Sequence, residues 1–253
     1  MSSDSPPPDT NRPNDEGLPR RSFLRFTGYT AFGWIASATG LTLLENPINR
    51  LFEPINQRAE EMIFNPQKLI PEFSPAAIEP DKLIVNSFRF TPILDPITFR
   101  LEIAGAVANP VSLSLQEVQQ FPKVSMVIRH VCVEGWAAIV QWGGVRLADL
   151  LQFAQLKPTA RYVYFESADG YFGSWDLASA THPQTLLAYE KNGAPLPSEN
   201  GAPLRLASPL KLGYKQSKWV TRIVITEGFL RAQNNQPMKG YWEDLGYEWY
   251  AGL

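Results

Sequence analysis

Alternating apolar and polar positions begin near Ile97 and recur through most of the chain that follows. The first run predicts a half-buried strand whose inward side chains are Ile97, Phe99, Leu101 and Ile103. Residues 218–228 predict the clearest strand, with one face made by Trp219, Thr221, Ile223 and Ile225 and the other by Val220, Arg222 and Val224. A further strand is predicted over 123–132, with Cys132 at its end.

Turn and helix signals lie between these runs. Ala168-Asp169-Gly170 and Lys191-Asn192-Gly193 each separate two apolar stretches, which predicts two hairpins. Ser114 and Glu117 have the spacing of a capping box and predict the start of a short helix. Residues 145–156 predict a second helix with an apolar face made by Val145, Leu147, Leu150, Leu151 and Phe153. Strands outnumber helices, so the predicted fold class is α+β and mostly β.

The first 45 residues have a different character. Residues 1–19 are polar and proline-rich, which predicts disorder. Arg20 and Arg21 then precede an uncharged run over 26–44, the order found in twin-arginine export signals. This pattern predicts an extracytoplasmic, periplasmic protein. Cleavage after Ala36-Ser37-Ala38, retention of 26–44 as a membrane anchor, and a buried amphipathic helix remain open alternatives.

Between this region and the first strand, the sequence predicts connecting segments. Residues 46–66 are interpreted as a linker with a short helix near 57–63. Residues 67–96 contain too many prolines for a central sheet and predict an extended arm along the domain. The predicted organisation is therefore an export region over 1–45, a linker over 46–66 and a single functional domain over 67–253.

Composition narrows the function classes. A formal net charge of −2 argues against a nucleic-acid-binding protein, which normally carries a basic excess. The chain contains no P-loop, no dinucleotide-binding glycine fingerprint and no C-x-x-C-H motif. Its single cysteine, Cys132, excludes an intramolecular disulfide and a protein-held iron–sulfur cluster.

Cys132 lies in the stretch RHVCVEGW, beside Arg129, His130 and Glu134. The simplest interpretation is that Cys132 is a buried residue that packs like a small apolar side chain. A cysteine hydrolase would use His130 as the base, and a zinc site would need Cys132, His130 and His182. We favour a fourth hypothesis, in which the thiolate is the only protein ligand of a soft metal whose other ligands come from an organic cofactor.

Such a cofactor would be large and anionic, and two later segments supply candidate anchors. NGAPLR contains Asn200 and Arg205, and an arginine can hold a phosphate through two hydrogen bonds. GYKQSKW contains Lys215, Ser217 and Lys218 in a predicted turn whose backbone N–H groups could also face an anion. The alternative for this turn is a solvated basic loop.

Four stretches together, RHVCVEGWAAIVQWGGVRLADLL, YFESADGY, HPQTLLAYEKNGAPLPSENGAPLRL and GYKQSKWVTRI, resemble the molybdopterin-binding domain of the sulfite oxidase family. The resemblance covers about residues 67–230 and is strongest to the bacterial branch of periplasmic molybdenum-dependent methionine sulfoxide reductase catalytic subunits. It implies the mostly-β fold of that family, with short helices around mixed sheets, and one molybdenum–molybdopterin per chain.

The resemblance also implies roles for individual residues. Cys132 matches the metal-ligating cysteine, and His130 and Arg129 would orient the substrate beside it. The implied cofactor contacts are Asn86, Arg89, Phe90, Ser167, Asn200, Arg205, Gln216, Ser217 and Lys218. The five aromatic residues near the C-terminus are expected to be a packing tail: Tyr241, Trp242, Tyr247, Trp249 and Tyr250.

Two departures from the family shape the functional expectation. VEGW follows Cys132 where eukaryotic sulfite oxidases have an asparagine and arginines, and this disfavours sulfite as the substrate. The family's dimerisation domain has no counterpart after the last strand, so a monomer is expected. We expect reduction of a small-molecule or protein-bound S-oxide or N-oxide. The alternatives are sulfite oxidation at the same centre and a binding module that has lost its cofactor. Electrons would come from a separate membrane haem or quinone-linked protein.

Overall fold

The computed structural model describes residues 55, 57–60, 62–235 and 237–252. The predicted export signal and the apolar run over 26–44 lie outside these residues. Within them, no helix combines the length and apolar character needed to cross a membrane. Residues 57–60 and 62–63 are helical, as predicted for the end of the linker.

The first sheet has five strands: β1 (Arg100–Gly105), β2 (Val111–Ser114), β5 (Tyr162–Ser167), β6 (Phe172–Asp176) and β10 (Val220–Thr226). Their order across the sheet is β2-β1-β10-β5-β6. β1 and β10 are parallel, whereas the other neighbours are antiparallel. The predicted hairpin at Ala168-Asp169-Gly170 is confirmed, because it joins β5 to β6.

The second sheet also has five strands: β3 (Lys123–Val131), β4 (Ala137–Arg146), β7 (Leu186–Lys191), β8 (Ala194–Pro195) and β9 (Arg205–Ala207). Its order is β3-β4-β7-β8, and β9 pairs with β7. A small hairpin follows, formed by β11 (Leu230–Arg231) and β12 (Pro237–Met238). The described helices are α1 (Leu115–Val118), α2 (Leu147–Phe153), α3 (Leu177–Ala180) and α4 (Tyr241–Asp244). The mostly-β fold class is confirmed.

Each sheet contributes a packed apolar face. The larger cluster joins the first sheet to α2 and includes Leu101, Ile103, Leu147, Leu151, Phe165 and Ile223. The smaller cluster lies on the second sheet and includes Met126, Ile128, Val140, Trp142, Leu186 and Ala207. Burial of such side chains removes apolar surface from water, which is the main stabilising contribution to a fold of this kind.

Several local predictions are confirmed and three need correction. The capping box at Ser114 is present, with Glu117 accepting from the Ser114 N–H at 2.7 Å. Ile97, however, is 84 % exposed, because a turn at Asp95 delays the start of β1 to Arg100. Phe153 is 47 % exposed at the end of α2. A register shift between Val220 and Arg222 breaks the predicted alternation of β10, so Val220 joins the core with Ile223.

The predicted arm over 67–96 is confirmed as an extended segment that contains one short 3-10 turn, Pro75–Ala77. Backbone hydrogen bonds attach it to the second sheet. The Phe73 N–H donates to the Val127 carbonyl and the Glu79 N–H to the Ile139 carbonyl, each at 2.9 Å. These bonds hold the arm across β3 and β4, and its later residues reach the end of β3 where Cys132 lies.

Candidate functional site

A cleft of about 750 Å³, including its open mouth, lies at the end of β3. Its lining combines the arm, the Cys132 turn, the loops around β9 and the C-terminal segment: Leu83, Ile84, Val85, Asn86, His130, Cys132, Val133, Glu134, Trp136, Asn200, Arg205, Gly213, Tyr214, Gln216, Lys218, Trp242 and Tyr247. A second cavity of about 520 Å³ shares Asn86, Tyr214 and Lys218 with it and adds Ser217. The two form one elongated site.

Cys132 is held by the tight turn between β3 and β4. Its N–H donates to the Trp136 carbonyl at 2.9 Å, and its carbonyl accepts from the Gly135 N–H at 3.1 Å. Gly135 has a φ of +90°, which a side chain would strain. The sequence EGW therefore makes a rigid turn that presents the half-buried thiol to the cleft.

Glu134 is the immediate neighbour of this thiol. Its carboxylate lies 3.6 Å from Cys132 Sγ and accepts from the Trp136 indole N–H at 2.9 Å and from the Asn86 amide at 3.4 Å. The Trp136 hydrogen bond lowers the pKa of Glu134, so this exposed carboxyl is ionised at neutral pH. Burial, followed by the charge of Glu134, raises the pKa of Cys132. A cation is needed to stabilise the thiolate form here.

His130 lies on the inward face of β3 and is buried. Its ring stacks against Trp136, and Gly213 packs so closely that a Cβ there would lie 2.8 Å from Nε2. Burial, with a smaller contribution from Arg205, lowers the pKa of His130 to about 3. The imidazole is therefore neutral at physiological pH, and its Nδ1 has no hydrogen-bond partner among the described residues.

Arg205 places a buried cation in another part of the cleft lining. Its guanidinium donates to the Asn200 carbonyl at 3.0 Å and lies 4.4 Å above the Trp142 ring. Burial lowers its pKa to about 9, yet no described carboxylate forms an ion pair with it. Gly201 allows this packing, because its φ is +114° and a Cβ there would meet Arg205 Cβ at 2.9 Å. Uncompensated buried cations are rare unless a ligand neutralises them.

Lys218 is a second cation in the same region. Its ammonium donates to the backbone carbonyls of Asn86 and Glu199 and forms no ion pair within the part of the chain that the structure describes. Burial and the nearby charge of Arg205 lower its pKa to about 7. Ser217, next to it, has a buried hydroxyl with no described partner. This end of the site is thus equipped for an anion.

Most of the predicted contacts meet in this elongated site, but not all of them. Gln216 lines both cavities, although its amide is occupied by the Ser208 and Lys211 carbonyls at 2.9 and 2.8 Å. Ser167 is buried and lines neither cavity, and its hydroxyl has no hydrogen-bond partner among the described residues. Arg89 and Phe90 lie outside both linings; the Arg89 guanidinium is 5.0 Å from the Phe88 ring instead.

Arg129 is also absent from the cleft. It alternates with His130 along β3, so its side chain lies on the exposed face, 5.2 Å from the Phe73 ring. The expectation that it orients a substrate is therefore not supported. The sequence could have predicted this position, because neighbouring residues on a strand point to opposite faces and His130 is the residue that points inward.

The C-terminal aromatic residues divide into two groups. Trp249 and Tyr250 are buried, as expected for a packing tail. Trp242 and Tyr247 line the cleft instead, which corrects the expectation that the whole stretch serves packing. No motif marks these two residues. Only the density of aromatic side chains in GYWEDLGYEWY hinted at a surface of this kind.

The geometry does not favour the other interpretations of Cys132. The Cys132 thiol contacts an anionic carboxylate, and the low pKa of His130 makes it a poor base for a hydrolase. His182 lies elsewhere, with ring nitrogens 3.2 Å from the Lys68 carbonyl and 3.1 Å from the Gln184 N–H. The described residues contain no group of three or more His, Cys, Asp or Glu side chains placed to hold a metal.

Comparison with known proteins assigns the fold to a family. The model of the oxidoreductase molybdopterin-binding domain matches residues 89–233. The chain belongs to this family. The "Putative protein-methionine-sulfoxide reductase subunit YedZ1" of Azospira oryzae is 37 % identical over 245 residues, which cover 92 % of this chain and 87 % of that protein. The protein-methionine-sulfoxide reductase catalytic subunit MsrP of Gluconobacter oxydans is 37 % identical over 51 % of this chain and 47 % of that protein.

A solved structure supports the same fold for the molybdopterin-binding domain. The sulfane dehydrogenase SoxCD of Paracoccus pantotrophus aligns with a TM-score of 0.52 and 22 % identity, over 60 % of this chain and 46 % of that chain. The chain is thus an oxidoreductase with the sulfite-oxidase-type fold and a molybdenum–molybdopterin cofactor, as the sequence predicted.

The residues in the cleft fit such a cofactor chemically. A phosphate would neutralise Arg205 and Lys218, the two cations that have no described carboxylate partner. Polar groups of the pterin could pair with His130 Nδ1 and Ser217 Oγ, two buried atoms without a hydrogen-bond partner among the described residues. A metal held by the dithiolene would reach the thiol of Cys132, which is a suitable soft ligand.

Proposed function

We propose that this protein reduces an S-oxide at a molybdenum centre whose only protein ligand is Cys132. The observation that carries the choice of substrate is the carboxylate of Glu134, 3.6 Å from the thiol and without an ion-pair partner among the described residues. An ionised carboxylate repels an oxyanion such as sulfite but not a neutral S-oxide.

The proposed binding roles follow from the two ends of the cleft. Arg205 and Lys218 hold the phosphate of the cofactor, and Asn200 fixes Arg205 through its carbonyl. Neutral His130 donates or accepts one hydrogen bond at Nδ1 without adding charge. When bound, molybdenum supplies exchange of one oxygen atom coupled to the transfer of two electrons.

Glu134 and its partners are proposed to shape the entrance to the metal. The Trp136 indole and the Asn86 amide hold the carboxylate in place beside Cys132. The rest of this end is apolar, with Leu83, Ile84 and Val133 in the lining. The names of the two methionine-sulfoxide reductase relatives support an S-oxide over an N-oxide.

The test is a combined analysis of cofactor and activity. Purified protein should contain molybdenum by elemental analysis and release a fluorescent pterin on denaturation. With a reduced dye as electron donor, it should reduce methionine sulfoxide. Sulfite oxidation faster than S-oxide reduction would contradict the proposed direction. Protein made with an adequate molybdenum supply that lacks both metal and pterin would favour a binding module.

Export is a separate part of the proposal, based on the arginine pair that precedes the uncharged run over 26–44. Replacement of Arg20 and Arg21 by lysine keeps the charge but removes the arginine pair that the export machinery recognises. The variant should accumulate in the cytoplasm with its cofactor bound. Unchanged periplasmic fractionation of the double variant would contradict a twin-arginine route.

The electron donor is proposed to be a separate membrane haem or quinone-linked protein that docks near the cleft. The support is the sequence itself, which has one cysteine, no C-x-x-C-H motif and no dinucleotide fingerprint. The encounter should bury less than about 1,200 Å², as redox contacts do. Dye-dependent turnover without turnover on NADH or NADPH alone is the expected result. Steady turnover on NADPH without an added protein would overturn the proposal.

A further inference from the structure

The C-terminal segment 237–252 lies beyond the residues that the family model matches, 89–233. It is nevertheless fastened to the domain by buried polar contacts. The Tyr164 hydroxyl donates to the Met238 carbonyl, and the Ser174 hydroxyl to the Lys239 carbonyl. The Trp249 indole N–H donates to Ser174 Oγ at 2.9 Å. This segment is therefore an integral part of the fold.

An ion pair fixes the centre of the segment. Lys215 and Glu243 form a salt bridge in which each side chain is 1 % exposed. The Tyr214 hydroxyl also donates to the Glu248 carbonyl at 2.5 Å. Breaking a buried ion pair leaves an uncompensated buried charge, so such a pair holds its two segments together in one arrangement. Here the two contacts, at Glu243 and Glu248, come directly after Trp242 and directly after Tyr247, and so set the positions of both residues.

Two residues of this segment, Trp242 and Tyr247, form an aromatic wall with Tyr214, which lies between β9 and β10. The rings of Trp242 and Tyr247 are 5.1 Å apart, and those of Tyr214 and Tyr247 are 5.5 Å apart. All three residues line the cavity that contains Cys132, and Tyr214 and Trp242 also border the second cavity. Trp242 is only partly buried and Tyr247 is exposed, so both rings retain surface for a ligand.

The cofactor is common to the whole family, so most of the residues that hold it are expected within the shared region, although Asn86 lies just before it. Arg205, Lys218 and Cys132 all lie there. Trp242 and Tyr247 lie outside it, which points to a role in what differs among family members, namely the substrate. Aromatic rings attract sulfur and apolar groups without requiring charge. This suits a neutral S-oxide better than an anion.

We infer that Trp242 and Tyr247 determine substrate specificity by packing against the organic group that carries the S-oxide. The ring of Tyr214 packs edge to face against that of Tyr247, and the Lys215–Glu243 pair positions the wall. The preferred substrates are then S-oxides with a large apolar or aromatic substituent. This inference rests on the proposed function and adds the substrate class.

The experiment compares methyl p-tolyl sulfoxide with dimethyl sulfoxide in the wild type, Trp242→Ala and Tyr247→Ala. The loss of one sulfur–aromatic or ring contact should lower kcat/KM for the larger substrate by about two- to tenfold. The effect should lie in KM and leave the smaller substrate almost unchanged. Trp242→Phe should recover most of the preference. Leu245→Ala is the matched control, because Leu245 is on the same segment, is 61 % exposed and lines neither cavity.

Molybdenum and pterin content, measured on the same preparations, separates the outcomes. Unchanged molybdenum and pterin content, together with the expected rise in KM for the larger substrate, supports the inference. Loss of pterin from Trp242→Ala would assign the wall to the cofactor and overturn it. Wild-type turnover with unaltered preference in both alanine variants would overturn the inference alone. A cofactor-loaded wild type that reduces no S-oxide would overturn the proposed function and the inference with it.

Discussion

The two ends of the cleft are built on opposite principles. At the cation end, Arg205 is buried, stacked on Trp142 and fixed by the Asn200 carbonyl, so its position is set before any ligand arrives. At the thiol end, Cys132 and Glu134 lie in a surface turn beside the open mouth. The electrostatics differ as well, since one end has cations without described carboxylate partners and the other has a carboxylate without a described cation.

This contrast suggests separate roles for the two ends: the cation end would retain the cofactor, and the thiol end would take part in its chemistry. In the proposed arrangement, many contacts at the cation end would share the binding of a large anion, whereas a single thiol at the other end would be available to the metal. Loss of one residue should therefore have different consequences at the two ends. Substitutions at the thiol end should remove activity and spare the pterin, and substitutions at the cation end should reduce cofactor content first.

The largest effect is expected for Cys132→Ser. Loss of a supporting residue around a metal typically costs 10–100-fold, and loss of the ligand itself should reduce activity by more than about 100-fold. Pterin content should stay near that of the wild type, because Arg205 and Lys218 remain. The measurement is dye-linked turnover beside pterin fluorescence. Full activity in purified Cys132→Ser would refute the ligand assignment.

Arg205→Ala should have the opposite signature. A charge-assisted hydrogen bond contributes roughly 1.5–3 kcal/mol, so the cofactor should bind more weakly by about one to two orders of magnitude. Turnover per bound molybdenum should change little. Arg205→Lys should recover only part of the content, because lysine lacks the planar fork. Arg222→Ala, at an exposed cation on β10, is the control. Wild-type molybdenum content in Arg205→Ala would move the phosphate site elsewhere.

The smallest effect concerns Lys218. The pKa of Lys218 is about 7, so its side chain is mostly deprotonated at pH 8 when the site is free. A bound anion would raise this pKa again. Binding of sulfate, which stays a dianion between pH 6 and pH 8, to cofactor-free protein should therefore take up a fraction of a proton at pH 8 and almost none at pH 6. Calorimetry in two buffers of different ionisation enthalpy measures this uptake, and Lys218→Met should abolish it. Equal uptake in the variant would assign the proton to another group.

Local patterns predicted the fold and the thiol end well. Both hairpins and the capping box are determined by turn and capping residues within a few positions of one another, so the local sequence is enough to predict them. The position of Cys132 after a strand followed from the same reasoning. The breakdown of alternation in β10 did not, because the register shift at Val220 depends on pairing with β5.

The rest of the site depends on contacts between distant parts of the chain. The Asn86 amide reaches Glu134 across 48 positions, and the Lys215–Glu243 pair spans 28. No periodicity encodes such pairs. The resemblance supplied Asn86 and Arg205, but it gave no indication of Trp242 or Tyr247, which lie past the region it covers.

X-ray absorption at the molybdenum edge tests the central claim most directly, because it reports the atoms bound to the metal. The wild type should show the dithiolene sulfurs and one further sulfur, the thiolate of Cys132. Cofactor-loaded Cys132→Ser should lose one sulfur neighbour and gain an oxygen or nitrogen in its place. An identical sulfur shell in both proteins would contradict ligation by Cys132.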